Sequence, residues 1–251
     1  FTGDLARGRL SLDARIEGGS GQPGIGLAIA LENADLRQAM VPALGGSPGT
    51  GRLDLNAQLQ AQGRSWLALV SSTSGKADAK LSGLRLSPLD LPGFGAGLAA
   101  LSSIEAFPVL IDEALFMGET RADDLDLAFE MKDGVMRLAN REMTLEGGTA
   151  VLDLVYDLPR LAADAAMTVR LAEPQGAPEF LIGATSRQGR MDVQTDTLAL
   201  QNFAARRILQ RSVDEAGAVV PRDLRDLMEL PAAAQGGTST APLPLQRPQA
   251  N

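Results

Sequence analysis

A regular alternation of apolar and polar residues most limits what this chain can fold into. In residues 51–63 every second side chain is apolar and those between are polar. A period of two residues places successive side chains on opposite faces of a β-strand. The segment is therefore predicted to be a strand with one apolar face, formed by Leu53, Leu55, Ala57, Leu59 and Ala61.

The same strand opening recurs along the chain. Residues 8–14 (GRLSLDA) match residues 51–57 (GRLDLNA) at five of seven positions, and looser copies begin at Gly75 and Gly189. Their spacing is irregular. The sequence thus favours a repeated type of strand over a solenoid of fixed period.

Turn-forming residues connect further strands into hairpins. In residues 125–138 the alternation is interrupted by Asp133-Gly134, a dipeptide favoured in type I′ turns. Gly147-Gly148 separates another pair of alternating runs. Additional strands are predicted at residues 166–171, 179–185 and 190–200.

Helices are predicted in a few places between strands. Asn33 or Asp35 is suited to cap a short helix over Leu36–Leu44. A second helix is predicted at residues 96–105, resuming at 109–115 after Pro108, a third at 202–216, and final turns at 221–230. The predicted fold is mainly β with a few helices: a curved antiparallel amphipathic sheet that forms an open groove, flanked by short helices.

The domain organisation follows from composition. Residues 1–230 are predicted to form one β-rich region, and residues 231–251 to form a disordered tail rich in Pro, Gly and Ala. The chain starts at Phe1, with no basic segment and apolar run typical of a signal peptide. It is interpreted as a fragment of a longer protein.

Missing residue types exclude several classes of function. The 251 residues include no His and no Cys, which excludes Ser-His-Asp and Cys-His nucleophiles, Cys/His zinc sites and iron–sulfur clusters. The net charge of −8 disfavours nucleic acid as a partner. No uninterrupted apolar stretch reaches the roughly 18 to 20 residues of a membrane-spanning helix.

Three small acidic clusters are the candidates for carboxylate chemistry or cation binding. The spacing of a calcium loop is absent, and the alternation around Asp124 and Asp126 is typical of a solvated strand edge. The structural interpretation is preferred for all three clusters, which are Asp112-Glu113, Asp123-Asp124 with Asp126, and Asp223 with Asp226.

Other motifs are also interpreted structurally. The glycines of residues 93–97 and 45–51 lack the spacing of phosphate-binding loops and are predicted to form flexible loops. Trp66 is expected to pack in the core or at its rim rather than stack on a sugar. A basic patch could contact anionic lipid headgroups, although an ordinary exposed helix face is favoured for Arg206, Arg207, Arg211, Arg222 and Arg225.

The order of these elements resembles the C-terminal region of the AsmA family of Gram-negative envelope proteins. The resemblance spans residues 28–211 and rests on Gly/Leu/Ala patterns with no single invariant motif. The segments that carry it are the strand at 51–63, Trp66-Leu67-Ala68-Leu69, Ser71 to Gly75, Gly83-Leu84-Arg85-Leu86, Phe116-Met117-Gly118, the hairpin from Asp123 to Gly134, and Glu146-Gly147-Gly148-Thr149-Ala150.

The resemblance implies a periplasmic region attached to the inner membrane by an upstream helix that this fragment lacks. It implies phospholipid transport toward the outer membrane along a β-groove and a role in outer-membrane biogenesis, without catalytic residues, metal or cofactor. Phospholipid acyl chains, and possible other envelope proteins, are the implied partners. Alternation selects the candidate lining residues Leu53, Leu55, Leu59, Leu125, Leu127, Phe129, Leu152 and Leu154.

Two alternatives remain open at this point. The chain could be a structural or interaction β module that scaffolds an envelope complex. It could also be a carboxylate-based enzyme acting on glycans, which would require Asp123, Asp124 and Asp126 to face a cleft.

Overall fold

Twelve antiparallel strands and five helices make up the described part of the chain in the computed structural model. The structure describes residues 1–18, 23–44, 49–187 and 190–216. The fold is mainly β, an open amphipathic antiparallel sheet with flanking helices, as predicted. Residues 1–208 form one compact unit, and of residues 209–251 the structure describes only the end of a helix. The predicted turns at 221–230 and tail at 231–251 lie outside the described residues.

The strands follow one another across the sheet in chain order. Each pairs with its sequence neighbours, except that β6 extends the edge of β5 and the main path runs from β5 to β7. The strands are β1 (Thr2–Leu5), β2 (Gly8–Glu17), β3 (Gly24–Asp35), β4 (Gly49–Gln62), β5 (Ser74–Leu86), β6 (Thr120–Arg121), β7 (Leu125–Lys132), β8 (Val135–Leu145), β9 (Gly148–Asp157), β10 (Ala162–Leu171), β11 (Phe180–Arg187) and β12 (Arg190–Asp196).

The helices are distributed unequally between the two ends of the sheet. We call the end where β3 finishes and β4 starts the helical end, because three helices lie in its connections and a fourth follows β12 there. The opposite end, which includes the β7–β8 and β9–β10 turns, is the turn end. The helices of the helical end are α1 (Leu36–Leu44), α3 (Leu91–Ala100), α4 (Phe107–Leu110) and α5 (Leu198–Ala216), and α2 (Trp66–Ser72) joins β4 to β5 at the turn end.

Side-chain carboxylates and hydroxyls cap several of these helices. The bounds of α1 match the prediction, and Oδ1 of Asp35 accepts a hydrogen bond from the amide of Gln38 at 3.0 Å. Ser65 caps α2 by accepting from the amide of Ala68. A 3-10 turn, Ile104–Ala106, precedes α4, and a π-helical turn, Ile111–Leu115, follows it.

The register aligns apolar residues of successive strands on one face. Leu55 of β4 pairs with Leu31 of β3 and with Ala79 of β5, and Ala79 pairs in turn with Leu127 of β7. Directly opposed residues of antiparallel strands point to the same side. One side of the sheet is therefore an apolar face, and the other is a polar face that includes residues such as Gln58.

The helices bury the half of the apolar face next to them. Phe94 of α3 is completely buried, and its ring lies 5.7 Å from that of Phe180 on β11. Helical residues share one core with sheet residues such as Leu53, Leu125 and Val169. The buried helical side chains are Leu36, Leu91, Phe94, Leu98, Phe107, Leu200 and Ala204.

The prediction of a flexible glycine loop at residues 93–97 is wrong, because these residues lie inside α3. The amide of Gly93 donates to Oδ1 of Asp90, the N-cap residue, at 2.8 Å. A Cβ atom at Gly95 would lie 2.6 Å from the carbonyl oxygen of Glu173, and one at Gly97 would collide with Leu110. The glycines allow α3 to approach its neighbours closely. In the second glycine motif, Gly49 and Gly51 lie in β4, and residues 45–48 are outside the described residues.

Three bulges each contain a residue with a left-handed backbone conformation. The amides of Asn33 (φ 51°) and Asn140 (φ 51°) donate to Oδ1 of Asp54 and Asp153, at 2.7 and 2.9 Å. The amide of Gly83 (φ 59°) donates to Oδ1 of Asp124 at 3.1 Å. Register shifts mark each bulge. An extra residue in one strand is thus accommodated three times, each with an aspartate acceptor on a neighbouring segment.

Strands β7 and β8 are joined at their extremities. Three registered pairs flank the Asp133-Gly134 turn, whose φ values of 50° and 74° agree with the predicted type I′ hairpin. The other extremity is held by the Ala122↔Leu145 bridge. No registered pairs connect residues 124–129 with 138–143, all of which are described. The sheet therefore has a seam in its middle.

Several predicted bounds were wrong. The strand predicted at residues 190–200 ends at Asp196, whose Oδ1 accepts from the amide of Leu198 at 3.3 Å as α5 begins. Helix α3 starts at Leu91 rather than at residue 96. Strands β1 and β3 and helix α2 were not predicted.

Candidate functional site

The candidate site is the half of the apolar face toward the turn end, which the core helices leave uncovered. One row of paired residues crosses it from β3 to β10, and its members are half-buried except for the buried Ala163. The row consists of Leu27, Leu59, Gly75, Met131, Met136, Tyr156 and Ala163.

A second row lies one pair closer to the helical end. It runs through Leu12, Ile29, Ala57, Ala77 and Phe129. The central strand β5 contributes only small residues to the two rows, Gly75 and Ala77. The surface of the apolar face is consequently recessed along β5, because the neighbouring strands present the larger side chains of Leu59 and Met131.

The eight residues predicted to line a groove all lie on the apolar face, in different surroundings. Leu53, Leu125 and Leu127 are buried in the core at the helical end. Four others are half-buried and pack against that core, namely Leu55, Phe129, Leu152 and Leu154. Leu59 lies in the row that runs from Leu27 to Ala163.

Sequence reasoning missed most residues of the uncovered half. Leu27 and Ile29 belong to β3, in which Ala28 and Ala30 occupy the polar face and hide the alternation. Met136 and Tyr156 were recognised as strand residues but not as lining residues. Their pairing with each other, and that of Met136 with Met131, is the signal that places them in the row.

Tyr156 is the titratable group of this row. Partial burial of its phenol raises its pKa from the ordinary value of 10.0. Burial in a low-dielectric environment disfavours the charged phenolate. The ring therefore reports how strongly water is excluded from the site.

The acidic candidates of the strand hairpin do not converge. Asp123, Asp124 and Asp126 are all exposed, and Asp124 accepts the bulge amide of Gly83. Asp126 lies on the polar face, where an open depression of about 440 Å³ is also lined by Lys80 and Arg141. Another depression on that face, of about 570 Å³, includes residues of β2 to β5 and Phe1.

The other acidic candidates lie elsewhere. Asp112 and Glu113 are exposed on the π-helical turn, and Asp223 and Asp226 are outside the described residues. The hydroxyl of Ser103 donates to Glu105 and lowers the pKa of that carboxyl. Within the described ranges, no group of three His, Cys, Asp or Glu side chains is placed to hold a metal ion.

Of the predicted basic patch, Arg206 and Arg207 lie in the described part of α5 within the first unit. The guanidinium of Arg207 lies 5.5 Å from the ring centre of Phe203, a cation–π contact along the helix. Arg222 and Arg225 lie outside the described residues. Trp66 is 80% exposed at the start of α2, so its expected packing in the core or at the rim of the core is wrong.

Comparisons with known protein families, with curated proteins and with solved structures find no match for this chain. Among the described residues, none of the helices combines the length and apolar character needed to cross a bilayer. The candidate site is thus a broad, half-buried apolar surface that is recessed along β5.

Proposed function

We propose that the uncovered half of the apolar face shelters phospholipid acyl chains, as part of a non-enzymatic AsmA-like protein that moves phospholipid between the inner and outer membranes. The observation that carries this proposal is the half-buried row from Leu27 to Tyr156. The periplasmic location, the upstream membrane anchor and the role in outer-membrane biogenesis come from the sequence resemblance.

The chemistry of the row suits a flexible hydrocarbon ligand. Its side chains are aliphatic, thioether or aromatic, and methionine adapts its shape to irregular apolar partners. Removing apolar surface from water contributes about 25 cal/mol per Å², so covering one acyl chain would contribute several kcal/mol without any titrating group. Selectivity among different acyl chains would be low because few polar groups of the protein face the ligand.

A structural or interaction module is the second candidate, and a specific observation favours it. At the helical end the protein's own side chains fill the apolar face, with Leu91, Phe94 and Leu115 completely buried. A face filled in this way needs no ligand. The proposed lipid site is accordingly limited to the turn half of the sheet.

The test compares two tryptophan substitutions on adjacent residues of β5. Ala77→Trp would fill the recessed surface along β5, between Ala57 and Phe129, which are the paired neighbours of Ala77 on the apolar face. Lys76→Trp adds the same ring to the exposed polar face. We expect Ala77→Trp to weaken binding of a fluorescent single-chain lipid by about tenfold, equivalent to about 1.4 kcal/mol, and Lys76→Trp to leave it unchanged.

Lipid extraction and mass spectrometry of the purified wild-type chain complete the experiment. Co-purified phospholipid that is depleted in Ala77→Trp but present in Lys76→Trp would support the proposal. Absence of co-purified phospholipid together with absence of saturable binding of the fluorescent lipid would exclude it and favour the structural module.

A further inference from the structure

Large apolar side chains are exposed at the turn end, beside the uncovered half of the apolar face. Ile16 and Trp66 are each 80% exposed, Leu67 is 64% exposed and Leu161 is 57% exposed. They lie near the end of β2, at the start of α2 and in the β9–β10 turn. We call these four residues the turn-end rim.

Backbone hydrogen bonds connect the segments that carry the rim. The amide of Gly63, before α2, donates to the carbonyl of Pro23, before β3, at 3.0 Å. The amide of Gly134, in the β7–β8 turn, donates to the carbonyl of Thr73, the residue after α2, at 2.8 Å. The amide of Leu158, in the β9–β10 turn, donates to the carbonyl of Gly134 at 2.9 Å. The residue before β3, helix α2 and the two turns are thus linked along one border.

Gly134 shows how closely this border is packed. Its φ is 74°, and a Cβ atom there would lie 2.6 Å from the carbonyl oxygen of Val70 in α2 and 2.9 Å from Cδ of Pro159. Helix α2 and the β9–β10 turn therefore both contact the β7–β8 turn. Trp66, Leu67 and Leu161 are presented by a fixed support.

Leu161 occupies a backbone conformation that leucine normally avoids. Its φ is 48°, in the left-handed region where Gly, Asn and Asp are favoured. An exposed leucine at this position has a conformational cost and gains little burial within the chain. Packing within the chain therefore does not account for leucine at this position.

Basic residues accompany the rim. Arg15 precedes Ile16, Arg64 lies two residues before Trp66, and Arg160 precedes Leu161. Arg15 and Arg160 also pair with Asp13 and Asp157, at 3.5 and 2.5 Å. Within the described ranges, no ion pair is recorded for Arg64 or for Lys132, which lies before the β7–β8 turn next to Asp133.

Two exposed apolar residues at the helical end, Val109 and Met117, have acidic neighbours along the chain. Val109, 52% exposed, lies between Glu105 and the Asp112-Glu113 pair along the chain. Met117, 71% exposed, is followed by Glu119. In a chain with a net charge of −8, the sequence around the rim is thus more basic than the sequence around Val109 and Met117.

We infer that the turn-end rim docks on the surface of a phospholipid bilayer that contains anionic headgroups. A tryptophan and aliphatic side chains flanked by arginines have the composition of an interfacial membrane contact. The inference rests on the proposed acyl-chain site, because docking places the open end of that site at the headgroup boundary. Ile16, Trp66, Leu67 and Leu161 enter the interface, and the neighbouring cations contact the headgroups.

Trp66 provides the measurement because it is the single tryptophan of the chain. Vesicles of phosphatidylethanolamine and phosphatidylglycerol are added to the wild-type chain, and binding is followed by flotation and by tryptophan emission. We expect co-flotation and a blue shift of the emission, both reduced by added salt because the electrostatic part is screened. Absence of flotation and of a shift with anionic vesicles would overturn the inference.

Two rim variants are chosen to preserve the fold. Leu67→Asp places an acid in the first turn of α2, where it favours the helix, and Leu161→Asn suits the left-handed backbone without adding charge. We expect each to lower the vesicle partition coefficient by about tenfold or more. Met117→Asp is the matched control at the helical end, with similar exposure and the same change of charge, and is expected to bind as the wild type does.

Two further results would also overturn the inference. One is an equal loss of vesicle binding in Leu67→Asp and Met117→Asp. The other is a blue shift that depends on protein concentration without vesicles, which would assign the rim to contact with a second copy of the chain. Binding of the fluorescent single-chain lipid in vesicle-free buffer tests the acyl-chain site separately, and we expect Leu161→Asn to retain it.

Discussion

The two ends of the sheet are built from the same strands and the same alternating pattern, yet they bury their apolar faces differently. At the helical end, the connections between strands carry helices whose side chains fill the face, as Phe94 does against Phe180. At the turn end, short turns and the seven-residue α2 leave Leu59, Met131 and Tyr156 half-buried. Alternation determines which face is apolar, and the connections determine whether that face becomes a core.

The largest expected effect comes from removing a core ring, compared with removing a half-buried side chain at the turn end. Phe94→Ala should lower the free energy of unfolding by about 3 to 5 kcal/mol, since the ring is completely buried. Met136→Ala should cost less than about 2 kcal/mol because its side chain is half-buried. Denaturant unfolding of both variants measures the difference. Equal losses would show that the two ends contribute alike to stability.

A smaller effect is expected at the bulge in the middle of β8. Asp153→Ala removes the acceptor of the Asn140 amide and should cost about 1 kcal/mol. Asn140→Gly keeps the left-handed conformation and should change stability by less than about 0.5 kcal/mol. Thermal or denaturant unfolding provides the measurement.

Asp126→Ala is the control for this comparison. Asp126 lies between two leucines, as Asp153 does, and its carboxylate is exposed on the polar face. We expect a change within about 0.5 kcal/mol. A loss as large as that of Asp153→Ala would assign the effect to the charge of the strand rather than to the bulge.

The smallest effect concerns Tyr156 at the turn end. Because the folded state raises the pKa of the phenol above 10.0, the folded state keeps its proton where the unfolded chain has lost it. The contribution of Tyr156 to the free energy of unfolding is therefore fully present below about pH 10, and it is lost as the pH rises through the higher pKa of the folded state. Tyr156→Phe should remove this part of the decrease.

Absorbance titration of the single tyrosine measures the same pKa directly. If acyl chains cover the row, a bound single-chain lipid should raise the pKa further, since it excludes more water from the phenol. If the phenol titrates at its ordinary pKa both without and with the lipid, the burial of the ring and its place in the site are contradicted.

Strong local signals account for the elements that the sequence predicted. Strand β4 has an uninterrupted alternation, the β7–β8 hairpin has Asp133-Gly134 at its centre, and α1 has Asp35 before its first turn. Each of these signals lies within a few residues of the structure it specifies. Burial, turn geometry and capping therefore agree, which makes the prediction reliable there.

Elements with mixed signals were missed or misplaced. Ala28 and Ala30 on the polar face of β3 make residues 24–31 of that strand an unbroken apolar run. The glycines of α3 are disfavoured in helices, and their reason lies in contacts with Leu110 and Glu173, far along the chain. The uncovered rows of the apolar face could not be identified for a related reason, since coverage depends on where distant helices pack.

The strand order has a consequence for folding kinetics. Nearly every strand pairs with its immediate sequence neighbours, so most ladders form after closing short loops. The exception is the pairing of β5 with β7, which requires residues 87–124, including α3 and α4, to become ordered. Loop-closure entropy is largest at this step. We therefore expect the slow event in refolding to be the docking of this helical insertion, with the hairpins on either side forming earlier.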